Sequence, residues 1–310
     1  MKVRKAVITA AGWGIRFLPI TKSQRKEMLP LVDKPLIQYS VEEAVACGVE
    51  LVIIVTAQGK GAIEDHFDRS FELEHFLERK GENKLAEEIR RLPNMVDICY
   101  VHPKERLGLG HAVLAAKRVV GEEPFVLLLP DDLFEGQEAV LRQMLEIYQR
   151  YQGNIIAVKR VSKEEINRYG IIEPRKVAEH VYQVINLVEK PQPEQAPSDL
   201  AIMGRYVLMP EIFEALESTL PGKNQEIQLT DALAQVLQKQ AIYAYEFEGE
   251  RYDAGTPLGW LEATIVLALG HPDIGPKLRE YLGGLLQRIT YPEEALPLGV
   301  ISREGRKWLK

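Results

Sequence analysis

Cysteine is scarce in this chain: Cys47 and Cys99 are the two among 310 residues. Each sits beside apolar residues, and neither has a partner at the close spacing of a redox or metal pair. Both are expected to be buried thiols. The six histidines are scattered and form no H-E-x-x-H, so no zinc site is expected. Basic residues are not in excess. The 39 Lys and Arg against 45 Asp and Glu give a formal net charge of −6, whereas broad nucleic-acid binding wants a basic face. A small anionic substrate stays allowed, because basic groups can converge locally or a metal can intervene. Long apolar runs are also missing. "LEATIVLAL" is too short to cross a bilayer and carries Glu262. The opening "MKVRKAVITAAG" is basic and then apolar, but the apolar part is short and charge returns at Arg16. It reads as a first strand rather than a leader. A cytoplasmic protein with no nucleic-acid or membrane partner is the expectation.

What is present is ample core material, 46% hydrophobic residues with 27% charged, enough for one large domain or two ordinary ones. The first half alternates strand and helix. "KAVITA", "LVIIVT", "VDICYV", "FVLLLPDD" and "NIIAVKRV" read as strands, and "LIQYSVEEAVACG", "GLGHAVLAAKRVV" and "EAVLRQMLEIYQRY" as helices. Continuous apolar runs mark strands buried on both faces, as in a parallel sheet. The order predicts an α/β fold with an open, mostly parallel sheet flanked by helices. The second half adds the strands "GIIEP", "VYQVINLVEKP", "LAIMGRYVLM" and "IYAYEFEG", and "SKEE" from Ser162 predicts a capping box opening a short helix. No internal repeat or flexible linker is visible. The expected organisation is one domain over 1–270, with halves 1–150 and 151–270, and a C-terminal helical tail over 271–310.

In open α/β sheets ligands bind beyond the carboxyl ends of the strands. Four motifs fall there. "AAGWGIR" follows the first strand; its small residues let backbone N–H groups approach a phosphate, and Arg16 adds a bidentate fork. It is neither the dinucleotide fingerprint nor a P-loop, since no G-x-G-x-x-G and no G-K-[ST] is present; a plain strand-to-loop turn fits the motif equally. "TKSQRKEMLPLVDKP" brings Lys22 and Lys26 near Arg16, while Arg25 and Lys34 read as solvated charges. "LLLPDD" ends a buried strand in two acids, a standard way to place a hard cation, with Asp131 favoured as ligand and Asp132 as its neighbour. "RYGIIE", "LVEKP" and "RYDAG" place Glu189, Lys190 and Asp253 at strand ends: a sugar-hydroxyl acceptor, a phosphate neutraliser and a second metal carboxylate. A surface salt bridge would explain Glu189 and Lys190 as well.

In this order and spacing the motifs resemble the bacterial sugar nucleotidyltransferases of the UTP–glucose-1-phosphate uridylyltransferase family. The resemblance runs from about Lys5 to about Leu269 and includes "KEMLPLVDKP", "IQYSVEEAVACG", "AIEDHFDRSFELE", "LGLGHAVL", "APSDLAIMGRYVL", "EIQLTDAL" and "RYDAGTPLGWLEAT". It implies a Rossmann-like mixed, mostly parallel sheet of the nucleotide-diphospho-sugar transferase type. It implies that Ala10, Ala11 and Gly12 lie against the nucleotide, with Gly14 and Arg16 on its phosphates. Lys26 would grip the phosphates and Gly108 would help read the base. Asp131 and Asp253 would hold Mg²⁺, and Gly170, Glu189 and Lys190 would contact the sugar phosphate. UTP and glucose-1-phosphate would be the substrates, and a homodimer or homotetramer the assembly.

The chain departs from the family at five positions. Trp13 replaces a leucine, Ile15 a threonine, Arg25 a proline, Pro103 a glutamine that reads the base edge, and Gln225 a glycine. Proline has no side-chain donor and no backbone N–H, so less sharp discrimination of uracil is expected. Three other readings compete: a related nucleotidyltransferase that uses another nucleotide or sugar phosphate, a non-catalytic regulatory relative, opposed by the intact Asp131 and Asp253, and a nicotinamide-dependent dehydrogenase, opposed by the missing fingerprint.

Overall fold

The computed structural model describes residues 2–57, 59, 61–222 and 225–288. The chain divides into two units, Met1–Thr264 and Ile265–Lys310. The first unit opens with β1 (Lys5–Thr9), the short hairpin β2 (Pro30–Leu31) and β3 (Lys34–Pro35), and α1 (Leu36–Ala46). Next come β4 (Leu51–Val55), the three helices α2 (Gly61–Phe67), α3 (Phe71–Lys80) and α4 (Asn83–Arg91), and β5 (Asp97–Val101). After α5 (Leu109–Ala115) and α6 (Lys117–Val120) follow β6 (Phe125–Leu128), β7 (Asp132–Glu135), α7 (Val140–Tyr151) and β8 (Asn154–Arg160). Three long strands, β9 (Gly170–Ala178), β10 (Val181–Glu189) and β11 (Leu200–Leu208), lead to α8 (Ile212–Ser218) and α9 (Leu229–Leu237). The last strands are β12 (Ile242–Glu246) and β13 (Glu250–Asp253), followed by α10 (Pro257–Gly270), whose last turns fall in the second unit. The second unit also contains α11 (Gly275–Arg288). The rest of the expected tail, 289–310, lies outside the described residues.

Nine strands form one sheet in the order β5-β4-β1-β6-β11-β8-β12-β10-β9. Here the expectation of a mostly parallel sheet needs correction. β5, β4, β1 and β6 run parallel and β8 pairs β12 in parallel, but β11 is antiparallel to both its neighbours, and so is β10. Four adjacent pairs are parallel and four antiparallel, so the sheet is mixed and its parallel character is concentrated in the first half. Apolar runs report burial on both faces, not strand direction. Both faces are indeed covered. Val7, Ile53, Val55 and Leu127 face a core shared with Val113 of α5, Phe213 of α8 and Leu233 of α9. Ala6, Ile8, Ile54 and Leu128 face a second core with Val41 of α1 and Leu141 and Met144 of α7. Each large aliphatic side chain so buried contributes about 1.5–3 kcal/mol, and the two cores fix the register of β1 against β4 and β6.

Two local expectations also change. Ser162 Oγ lies 3.2 Å from a Glu165 carboxylate oxygen instead of capping a helix, and only a single 3-10 turn, Ile166–Arg168, follows. Cys47 and Cys99 are free thiols but half-buried rather than buried. Burial, helped by Glu43, pushes the Cys47 thiol up to about 11, which keeps it protonated and unreactive.

Candidate functional site

β1 and β6 run parallel, with Ile8 opposite Leu128, so both release their chains at the same rim. After β1, Ala10 N–H still donates to Val55 O at 2.7 Å, as a last strand-like bond. The loop then folds back, and Gly14 O accepts the Thr21 hydroxyl at 2.8 Å. Lys26 starts a 3-10 turn and its stem passes beneath the loop, where a Cβ on Gly12 would sit 3.8 Å from Lys26 Cε. Its ammonium ends 2.6 Å from Asp131 Oδ2. Burial works against charge on both partners. For Lys26 it is outweighed by Asp131 and then Glu27, which hold the ammonium above its usual range. For Asp131 it is outweighed by Lys26, which holds the carboxyl below its usual range.

After β6 the chain turns through Leu129, Pro130 and Asp131 into β7. That short strand pairs antiparallel with β13, placing Asp132 opposite Asp253. This two-stranded ladder, invisible in the sequence reading, is what brings the two distant acidic motifs together. Asp132 is fully engaged: Oδ2 accepts Gly204 N–H at 2.7 Å and Oδ1 accepts the Arg251 guanidinium. Asp131 and Asp253 instead flank Gly255. A Cβ there would come within 2.6 Å of Asp131 Oδ2 and 3.0 Å of Asp253 Oδ1, so only glycine leaves both carboxylates in place. Asp253 Oδ1 accepts Gly255 N–H at 3.2 Å, and its Oδ2 pairs with Arg168 at 3.1 Å.

The turn is braced from below by Arg205, which is 1% exposed. Its Nη1 donates to Leu129 O and Gly204 O, each at 3.0 Å, and its Nη2 to Asp132 O at 3.0 Å. Nε and Nη2 also reach Glu43 Oε2 of α1, at 3.0 and 2.7 Å.

Two cavities open on this rim. The larger, ≈ 400 Å³, is lined by Ala11, Gly12, Gly14, Lys26, Gly108 and Asp131, with Trp13, Pro103, Arg106 and Glu226. Gly108 has φ +92°, and a Cβ on it would meet Glu226 Cβ at 2.7 Å, so both its backbone and its surroundings require glycine. The smaller, ≈ 270 Å³, is lined by Arg16, Asp131, Asp253 and Lys190, with Arg168, Tyr169 and Arg251. Asp131 and Leu129 belong to both walls.

Three expected residues stand back from these walls. Ala10 is fully buried beneath the loop. Gly170 packs against Thr230, Ile202 and Glu189. Glu189 accepts the Thr230 hydroxyl at 2.7 Å and pairs with Lys190 at 2.7 Å. The two cations read as solvated have partners: Arg25 Nε donates to Gly59 O at 2.8 Å, and Lys34 pairs with Glu42 at 3.0 Å. Sequence reasoning missed Arg106, Arg168, Arg205 and Arg251. The repeated "RY" opening "RYGIIE" and "RYDAG" was the available signal for Arg168 and Arg251, and a lone arginine inside the apolar "LAIMGRYVL" was the signal for Arg205.

Asp131 and Asp253 supply hard oxygen donors around one point. Among the described residues no group of three or more His, Cys, Asp or Glu could hold a metal. A carboxylate pair that leaves other positions to phosphate oxygens suits magnesium better than a cation needing an all-protein cage.

Two cavities that meet at one lysine–carboxylate pair suit the passage of a phosphate-bearing group between two bound molecules, which is the work of a nucleotidyltransferase. The chain belongs to the nucleotidyl transferase family, matched over residues 5–268. It is 50% identical over 287 residues to the UTP–glucose-1-phosphate uridylyltransferase of Bacillus subtilis (strain 168), covering 93% of this chain and 98% of that protein. A UTP-bound UDP-glucose pyrophosphorylase of Acinetobacter baumannii superposes with a TM-score of 0.85 at 39% identity, covering 92% of this chain and 100% of the other. A UDP-glucose pyrophosphorylase complexed with UDP-glucose gives 0.80 at 44% identity, covering 87% and 100%.

Proposed function

We propose that this chain transfers the uridylyl group of UTP to glucose-1-phosphate, giving UDP-glucose and pyrophosphate. The observation that carries the reading is Asp131, paired with Lys26 and shared by the walls of both cavities. Curated relatives of about half-identical sequence bear the name of this activity, and UTP and UDP-glucose are bound in similar structures.

In this reading the larger cavity takes the nucleotide. Ala11, Gly12 and Gly14 form its backbone-lined floor with Ala10 buried behind them, and Gly108 borders the base. The smaller cavity takes the sugar phosphate, with Lys190 on its phosphate and Gly170 and Glu189 behind. A glucose-1-phosphate oxygen attacks the α-phosphorus in line, forming the new P–O bond as the bond to pyrophosphate breaks. The nucleophile is already an anion, so no general base is required. Arg16, Lys26 and Lys190 hold the phosphates together against their mutual repulsion, and one such contact is worth a few kcal/mol in the transition state, roughly 10²–10³ in rate. Asp131 and Asp253 would hold Mg²⁺. Bound there, it supplies Lewis-acid charge neutralisation and a template for the phosphates. The family resemblance supports a cytoplasmic homodimer or homotetramer.

The test is pyrophosphate release from each nucleoside triphosphate, with and without glucose-1-phosphate and Mg²⁺. Release that requires both, with UTP as a substrate, is expected. No release with any nucleotide would favour a regulatory relative over an enzyme.

A further inference from the structure

The substitution least explained by the sequence acquires a partner in the fold. Trp13, in the loop after β1, is 65% exposed. The Arg106 guanidinium stacks over its ring with Cζ 3.8 Å from the centroid. The two residues come from the loops after β1 and β5, strands separated in the sheet by β4, and both line the larger cavity, beside Gly12, Gly108 and Pro103. A guanidinium on an exposed indole is a modest attraction by itself. Its structural effect is to cover one face of the indole and brace the ring against the cavity, while the ring stays largely exposed.

We propose that the Trp13–Arg106 stack is a platform that binds the nucleoside base of the triphosphate by its face. The proposal rests on the nucleotide reading of the larger cavity given above. It addresses what Pro103 removes. Pro103 lines the same cavity and offers no side-chain donor or acceptor to a base edge. Aromatic stacking restores affinity without edge hydrogen bonds, and it tolerates any base because every base has a π-face. The platform is therefore a specificity-determining element of an unusual sign: it tightens binding of all nucleoside triphosphates together and makes the chain less selective for uracil.

The experiment measures binding to the full-length protein by calorimetry, using UTP, CTP, ATP and the base-free probe tripolyphosphate. Wild type is compared with Trp13→Leu, Trp13→Phe and Arg106→Gln, and thermal melts confirm that each variant is folded. Trp13→Leu should weaken all three nucleotides by about tenfold, the lower part of the range for losing one stacked base, and leave tripolyphosphate within twofold. Trp13→Phe should recover most of the loss, and Arg106→Gln should weaken the nucleotides in the same sense. Indole emission should be quenched by the nucleotides and not by tripolyphosphate, and that quenching should vanish in Trp13→Phe. Unchanged nucleotide affinity in Trp13→Leu overturns the platform, as does an equal loss for tripolyphosphate, which would place Trp13 on the phosphates. Wild-type protein that binds no nucleoside triphosphate overturns the nucleotide reading itself and the platform with it.

Discussion

Replacing Arg205 by methionine should be among the most damaging single changes in the first unit, and the cost can be worked from its partners. Its guanidinium serves three carbonyls and one carboxylate. The carbonyl losses are cushioned, because Leu129 O also accepts Asp132 N–H and Gly204 O also accepts Leu129 N–H. Glu43 is the larger problem. Its side chain is 14% exposed, and Arg205 is the cation bound to it at 2.7 Å. Removing one member of such a buried pair costs about 3–5 kcal/mol, chiefly because the other charge is stranded. At about 2–4 °C per kcal/mol for a domain of this size, the midpoint of thermal unfolding should fall by roughly 6–20 °C. Urea titrations of Arg205→Met, Glu43→Gln and the double variant give the coupling directly. The double variant should be more stable than Arg205→Met alone, since no charge is then stranded. Activity should follow a different rule. Leu129 and Asp132 flank Asp131, so loosening their carbonyls displaces that carboxylate, and a shift near 1 Å costs about 10² in rate. Glu43→Gln should therefore rescue stability far more than turnover. A loss below about 1 kcal/mol, or strictly additive single effects, would refute the reasoning.

Gly255→Ala should leave the fold intact but cut pyrophosphate release by at least about tenfold, because its Cβ would lie 2.6 Å from Asp131 Oδ2 and push the two carboxylates apart; steady-state kinetics beside a thermal melt separate the two effects. Gln225 holds φ +60°, a left-handed backbone that suits the glycine usual in the family. Gln225→Gly should stabilise by about 0.5 kcal/mol, the relief of strain less the added freedom of the unfolded chain, as read from urea midpoints. Glu74 of α3 is buried between Arg69 and Arg90, whose hydrogen bonds hold its carboxyl below the usual range. A lowered folded value means its contribution is complete above the unfolded pKa of about 4.3 and is lost as pH falls through the folded one. The stability gap between wild type and Glu74→Gln should accordingly be constant near neutrality and close in acid, which melts from pH 7 to 3 will show.

Much of this fold was legible because its strands are buried on both faces and therefore spell continuous apolar runs. The same property hid their direction, and the antiparallel placement of β10 and β11 had to come from the structure. The preference for Asp131 over Asp132 rested on position alone; the structure adds that Asp132 is engaged by Gly204 and Arg251. The β7–β13 ladder was not legible. Its four-residue strands are polar at the ends and carry no periodicity long enough to register. The capping-box pattern at Ser162 failed for a chemical reason, since the serine hydroxyl met a carboxylate in place of the backbone. Trp13 and Pro103 were legible only as oddities, because an aromatic platform needs two loops to meet and no local pattern encodes that meeting.

The charges of the site resolve the tension between an acidic chain and a polyanionic substrate. Lys26 pairs with Asp131 at 2.6 Å, Lys190 with Glu189 at 2.7 Å and Arg168 with Asp253 at 3.1 Å. Two of the three cations proposed for phosphates, Lys26 and Lys190, and both carboxylates proposed for magnesium have an opposite charge beside them. The rim is thus close to neutral at rest, and the overall charge of −6 says little about it. Phosphates compete with these carboxylates for the same cations. A carboxylate that loses its cation becomes a better donor for a hard metal, so binding of the two ligands is favoured together through exchange of existing partners. The same pairing governs how substitutions are to be read. Neutralising Lys26 removes a phosphate contact and also strands Asp131, so its full effect on activity overstates the phosphate contact. Comparing Lys26→Met alone with Lys26→Met in an Asp131→Asn background separates the two, because the second background holds no carboxylate to strand.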